Sequence, residues 1–212
     1  MKKVFLLGDS IRQGYCGYVK KALSDVAEVY YPNDNCAFTG NIIRYLLDWK
    51  NELKIGKDID LVHWNAGLWD ALRMPDGKPH TPLNYYAENV ERICNMIELM
   101  FPKAKMAFAT STPVQEQLFT PPIVRYNLDT IQYNKSAVEI VKKHNGYIND
   151  LYTLLANAPT EYYSDRTHFY TKNGTRIITE QVVKTIEDIL GVSGKKLNYD
   201  QLFKKQENIS GI

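Results

Sequence analysis

Val4-Phe5-Leu6-Leu7-Gly8-Asp9-Ser10 is a buried-strand pattern that stops abruptly in a turn. The four apolar residues are too short a run for a secretory leader, because Asp9 ends them, and they predict a first strand from Lys3 to Leu7. Gly8 tolerates positive φ, and the Asp9 and Ser10 side chains can bond the local backbone, so the three read as the exit turn. Similar β-prone runs recur at Ala27 to Tyr31, Leu61 to Trp64, Lys105 to Ala109 and Gly146 to Ile148. Between them apolar residues fall at helical spacing. Tyr18, Val19, Ala22 and Leu23 mark one stripe, and Ile42, Ile43, Leu46, Leu47 and Trp49 a second. Tyr86, Val90, Ile93, Cys94, Ile97 and Met100 form the clearest, a fourth runs from Tyr126 to Val141, and Ile177 to Ile189 make a fifth that Gly191 is placed to stop. Strands alternating with amphipathic helices predict an α/β chain, a single-domain three-layer sandwich with a central five-stranded parallel sheet. Residues 1–190 make up the expected domain, and residues 191–212 a C-terminal extension, either a short helix or a tail.

The chain has 212 residues, enough for one substantial core. With 26 basic and 24 acidic residues, net +2, it presents no broad electrostatic footprint for nucleic acid or an anionic membrane. Cys16, Cys36 and Cys94 are odd in number and lack Cys-x-x-Cys spacing, which argues for free thiols over a disulfide scaffold or zinc site. His63, His80 and His144 show no metal-ligand spacing, so no metal or other cofactor is expected. No stretch approaches a membrane span, and with Met1 taken as the native start the expected location is cytoplasmic.

Parallel sheets bind ligands beyond the carboxyl ends of their strands, and Ser10 lies just past the first of them. The segments Asn33 to Gly40, Asn65 to Asp70 and Thr110 to Pro113, and the one leading to Asp165, fall at the same rim. Serine is a poor nucleophile at neutral pH and needs a neutral imidazole to take its proton, with a carboxylate to fix that imidazole's tautomer. Asp165-Arg166-Thr167-His168 offers both groups, at a spacing that lets them meet across one helical turn. Ser10, Asp165 and His168 are therefore the candidate catalytic residues.

With these blocks in place, the chain resembles the SGNH (GDSL-type) hydrolase family, closest to its bacterial carbohydrate-esterase-like members. The first block matches as Gly8-Asp9-Ser10 continuing through Ile11-Arg12-Gln13-Gly14-Tyr15, the second as Asn35-Cys36-Ala37-Phe38-Thr39-Gly40, and the last as Asp165-Arg166-Thr167-His168. The resemblance implies a flavodoxin-like fold and an oxyanion hole built from the backbone N–H groups of Ser10 and Gly40 and one side-chain donor. It departs at the third block, Gly67-Leu68-Trp69-Asp70, where tryptophan occupies the family's asparagine position; the third donor is Asn65 or Trp69, with Asn65 favoured. Arg12 and Trp69 are further candidates for substrate contact, with a loop-locking role the alternative for Arg12; Tyr163 could stack on a sugar. Asp9 is expected to brace its turn, and Asp70 to bond backbone around the third-strand turn. The resemblance implies hydrolysis of short-chain acyl esters, such as O-acetyl groups on carbohydrates, through an acyl-enzyme on Ser10, with a small-molecule or oligosaccharide ester as partner. A thioesterase or lysophospholipase on the same scaffold, or a non-catalytic binding protein that kept the fold, are the rival expectations.

Overall fold

In a computed structural model, which describes residues 1–207, five strands form one all-parallel sheet in the order β2-β1-β3-β4-β5. They are β1 (Lys2–Leu7), β2 (Ala27–Tyr30), β3 (Leu61–Trp64), β4 (Lys105–Ala109) and β5 (Tyr147–Asn149). The helices are α1 (Ser10–Leu23), α2 (Thr39–Glu52), α3 (Leu83–Met100), α4 (Asn127–Lys143), α5 (Leu151–Leu155), α6 (Lys172–Leu190) and α7 (Tyr199–Glu207). Residues 208–212 of the expected extension lie outside the described residues.

The two-residue period of β1 divides the core. Val4 and Leu6 face a cluster with Ile11, Tyr15 and Val19 of α1 and Ile178, Val182 and Ile186 of α6. Phe5 and Leu7 face the opposite cluster, with Ile42 and Leu46 of α2, Val90 and Ile93 of α3 and Tyr133 of α4. Each fully buried Leu, Ile or Val contributes roughly 1.5–3 kcal/mol of transfer free energy, so the two faces hold the helices far more strongly than helix propensity could. The distribution of helices also follows from chain handedness. Moving from β1 to β2 steps one way along the sheet with α1 on one face, and moving from β3 to β4 and β5 steps the other way with α3 and α4 on the opposite face, as right-handed crossovers require. The winding reverses between β1 and β3, and a crevice opens there beyond the strand ends.

Helix α1 begins at Ser10, earlier than its Tyr18 to Leu23 stripe announces. Gly14 and Gly17 weaken the helix signal, but the Asp9 carboxylate caps it by accepting from Ile11 N at 2.9 Å, and Ile11 and Tyr15 are buried. Gly191 ends α6 in the left-handed conformation at φ 65°, its N–H donating to Glu187 O. Among the described residues no helix is long and apolar enough to cross a membrane.

Candidate active site

Ser10, at the first turn of α1, stands at the crevice between β1 and β3. Its Oγ lies 2.8 Å from His168 Nε2, although 158 positions separate the two residues. His168 Nδ1 lies 2.7 Å from Asp165 Oδ2. With Asp165 ionised, Nδ1 carries the ring proton and donates it to the carboxylate, leaving Nε2 to accept from the serine hydroxyl.

Asp165 and His168 do not meet across a helical turn, as their spacing suggests. The segment is a bend, because Asp165 Oδ1 accepts from Thr167 N at 2.7 Å and His168 N at 2.9 Å, and Ser164 N closes the loop onto His168 O at 2.8 Å. The two carboxylate oxygens thus have separate tasks, one folding the turn and the other orienting the ring. Partial burial raises the Asp165 carboxyl, but hydrogen bonds from the His168 ring and the Thr167 and His168 N–H groups outweigh it and hold its pKa below the ordinary value.

A tyrosine absent from the sequence expectations completes this wall. Tyr170 stacks on the His168 ring, with centroids 4.8 Å apart, and its hydroxyl donates to Ser10 O at 2.6 Å. Gly14 makes the space: a Cβ there would lie 2.5 Å from the Tyr170 ring. Only an unassigned glycine in the first block hinted at this contact.

The turn after β1 and the loop after β2 are bound to each other. Cys36 N donates to Gly8 O at 3.1 Å, and the Arg12 guanidinium donates to the carbonyls of Pro32 and Gly8 at 2.9 Å and 3.3 Å and to that of Asp34. Arg12 is 1% exposed, so it locks this loop from behind and does not reach the rim as a substrate ligand. The lock sets Gly40, in the first turn of α2, at the same crevice. Among the described residues, neither Ser10 N–H nor Gly40 N–H has a hydrogen-bond acceptor. Both are orphan donors at helix N-termini, where the macrodipole favours negative charge.

Asp70 has a longer reach than the third-strand turn. It is fully buried and accepts from Thr39 N at 3.1 Å and from Thr39 Oγ1 at 2.6 Å, tying the loop after β3 to the start of α2 one residue before Gly40. Burial pushes its carboxyl up, against the hydrogen bonds from Thr39 and Thr81.

The two candidates for the third donor differ in placement. Asn65, at the end of β3 and 3% exposed, donates from Nδ2 to Asp9 Oδ1 at 3.0 Å, beside the nucleophile turn. Gly8 gives it room, since a Cβ there would lie 1.9 Å from Asn65 Oδ1. Burial also raises the Asp9 carboxyl, opposed by the bonds from Asn65 and Ile11 and by the charges of Arg125 and Arg12. Trp69 is half-buried, with its ring 5.8 Å from the Arg125 guanidinium. Tyr163 packs against Phe169, centroids 4.1 Å apart, as part of the wall. His63 lies inside β3, accepts from Asn149 Nδ2 at 3.1 Å, and is driven by burial down to about 4, a neutral core imidazole. Among the described residues no group of three or more His, Cys, Asp or Glu side chains is arranged to hold a metal ion.

The chain is similar to known proteins over most of its length. No family model matches the chain. A GDSL esterase/lipase from Oryza sativa subsp. japonica, WDL1, is 21% identical over 190 residues, covering 85% of this chain; the chain spans about two thirds of that protein's length, 66%. Among solved structures, the acetyl xylan esterase AlAXEase superposes with a TM-score of 0.68 at 16% identity, covering 87% of this chain and 99% of that one. A lipase/acylhydrolase from Enterococcus faecalis gives 0.66 at 21% identity, covering 93% and 100%.

Proposed function

We propose that the chain is a member of the SGNH (GDSL-type) hydrolase family, a carboxylic ester hydrolase that carries the acyl group on Ser10; its similarity to GDSL esterase/lipases and its shared fold with solved acylhydrolases support this reading. Short-chain esters are its substrates, O-acetyl groups on carbohydrates foremost. The observation that carries this reading is the relay from Ser10 Oγ through the His168 ring to Asp165, with contacts of 2.8 Å and 2.7 Å. The solved acetyl xylan esterase and the acylhydrolase with the same fold support the substrate class.

Ser10 Oγ attacks the ester carbonyl as His168 Nε2 takes its proton, forming a tetrahedral oxyanion and an imidazolium that faces the Asp165 carboxylate. The orphan N–H groups of Ser10 and Gly40 receive the oxyanion, and the second amide proton of Asn65 Nδ2 is the third donor. Each such donor is worth roughly 3–4 kcal/mol in the transition state. Collapse expels the alcohol, protonated by His168, and leaves the acyl group on Ser10. Water, deprotonated by His168, then attacks the acyl-enzyme; the second tetrahedral intermediate releases the carboxylic acid and returns the proton to Ser10. Tyr170 and Asp165 hold the imidazole in plane throughout.

The test is hydrolysis of 4-nitrophenyl esters of increasing acyl length by the wild type and Ser10→Ala. The reading expects acetate and propionate to be preferred and Ser10→Ala to lose at least about a thousandfold in kcat/KM. A rate unchanged by the substitution overturns the mechanism, and a preference for acyl chains of eight or more carbons transfers the chain to the thioesterase or lysophospholipase class.

A further inference from the structure

A second set of side chains reaches the edge of this site from the loop between β4 and α4. Arg125 donates from Nε to Leu68 O at 2.9 Å and from Nη1 to Thr167 Oγ1 at 3.3 Å. It is thereby fixed between the turn after β3 and the residue just before His168. No carboxylate is ion-paired with it among the described residues, and its Nη2 has no described hydrogen-bond acceptor. The charges it senses are the acids of the site, Asp9 and Asp165, and a second cation, Arg166. The two guanidinium groups flank one ring, Arg166 at 4.4 Å and Arg125 at 5.8 Å from the centre of Phe119, while Trp69 lies 5.8 Å from Arg125.

Half-burying a guanidinium without a counter-ion is unfavourable, and a second cation around the same ring adds repulsion. Burial accordingly lowers the Arg125 pKa. Asp9 is not the missing partner, since its bonded oxygen is occupied by Ile11 N and Asn65 Nδ2 and neither oxygen accepts from Arg125. An incoming carboxylate would relieve both strains, because a guanidinium offers it a planar pair of donors, and the half-buried rings of Phe119 and Trp69 lie beside it.

We propose that Arg125, aided by Arg166, binds a carboxylate of the ester substrate, so that this site selects esters bearing a negative charge near the scissile bond, acetylated acidic sugars among them. The proposal rests on the esterase reading above and adds the charge of its substrate. The carboxylate can belong to the alcohol half or to the acyl half of the ester, and matched substrate pairs tell them apart.

The full chain is assayed with 4-acetoxybenzoate against the neutral 4-acetoxybenzamide, and with mono-4-nitrophenyl glutarate against 4-nitrophenyl pentanoate. In one pair the charged ester is expected to have the higher kcat/KM, by about tenfold or more, an advantage that shrinks as salt is added. That charged-to-neutral ratio falls about tenfold in Arg125→Gln, less in Arg166→Gln, and to an intermediate value in Arg125→Lys, which keeps the charge and loses the fork. Galacturonate, which needs no turnover, is expected to raise the Tm of the wild type and not of Arg125→Gln. If no ester is cleaved but galacturonate stabilises only the protein with Arg125, the esterase reading fails and the anion site stands. A ratio at or below one in both pairs overturns the proposal, as does a ratio that Arg125→Gln leaves unchanged while lowering both rates equally, the mark of a counter-charge for Asp9.

Discussion

Replacing Asp165 by asparagine separates the two tasks of its carboxylate and so tests the relay at a single atom. Oδ1 folds the turn by accepting from Thr167 N at 2.7 Å and His168 N at 2.9 Å, whereas Oδ2 accepts from His168 Nδ1 at 2.7 Å. In Asp165→Asn the one remaining oxygen must face the two backbone donors, which places the amide NH2 against Nδ1. An NH2 group can only donate, so Nδ1 must give up its proton and accept, and Nε2 then presents a proton to Ser10 in place of a lone pair. The fold is kept and the base is lost. A wrong tautomer of this kind costs about four orders of magnitude in kcat in a serine protease, or roughly 5.5 kcal/mol. Asp165→Ala removes the turn bonds as well, at about 1–2 kcal/mol of stability for two partly solvent-exposed contacts. The assay pairs kcat on 4-nitrophenyl acetate with thermal unfolding. Asparagine is expected to leave Tm within about 2 °C of the wild type and to cut kcat by about a thousandfold or more, and alanine to lower Tm by about 3–6 °C. An asparagine variant retaining more than a tenth of wild-type kcat would show that Asp165 does not fix the tautomer.

Asn65→Ala is expected to lower kcat by about a hundred- to a thousandfold, and Trp69→Phe by less than about tenfold, measured on the same ester; the reverse order would make the indole the third donor. Gly8→Ala would put a Cβ 1.9 Å from Asn65 Oδ1 on a backbone at φ 155°, so a loss of more than about 2 kcal/mol in denaturant unfolding is expected. His144 bridges Glu98 and Glu91 at 2.8 Å each; burial lowers its pKa, but these two contacts outweigh it and raise it above the ordinary value. A raised histidine pKa stabilises fully below about pH 6.5 and loses that contribution as pH rises through the folded value, so His144→Gln should cost stability at about pH 5.5 and less at about pH 9, by under about 1 kcal/mol because both glutamates are half exposed. A penalty that grows with pH would contradict the sign.

Much of the architecture is legible because parallel strands and their helices are written in period. The run Val4 to Leu7 is buried on both faces, where a one-residue slip would send every side chain to the opposite face, and the stripe from Tyr86 to Ile97 buries one face of its helix. The relay is legible for a different reason: a serine after the first strand and an Asp-x-x-His segment are unusual chemical types at a rim that topology makes common to all strands. What escaped is pairwise geometry. Tyr170 and Gly14 are 156 positions apart and neither marks the other; the fit appears only when the ring is seen to fill the space a Cβ would take. Arg12 has a rim address in sequence, in the first turn of α1, but its side chain runs backward because the Pro32 and Asp34 carbonyls supply acceptors there. Asp70 shows the same limit, since its partner Thr39 lies in another loop.

On this geometry Ser10 is a nucleophile activated by His168. Labelling with a fluorophosphonate, followed by peptide mapping in the mass spectrometer, tests it without assuming any substrate. One adduct is expected, on the Ser10 hydroxyl of the wild type, with a labelling rate lower by at least about a hundredfold in His168→Gln. Labelling at another residue, or labelling of Ser10 at the same rate without the imidazole, would contradict it.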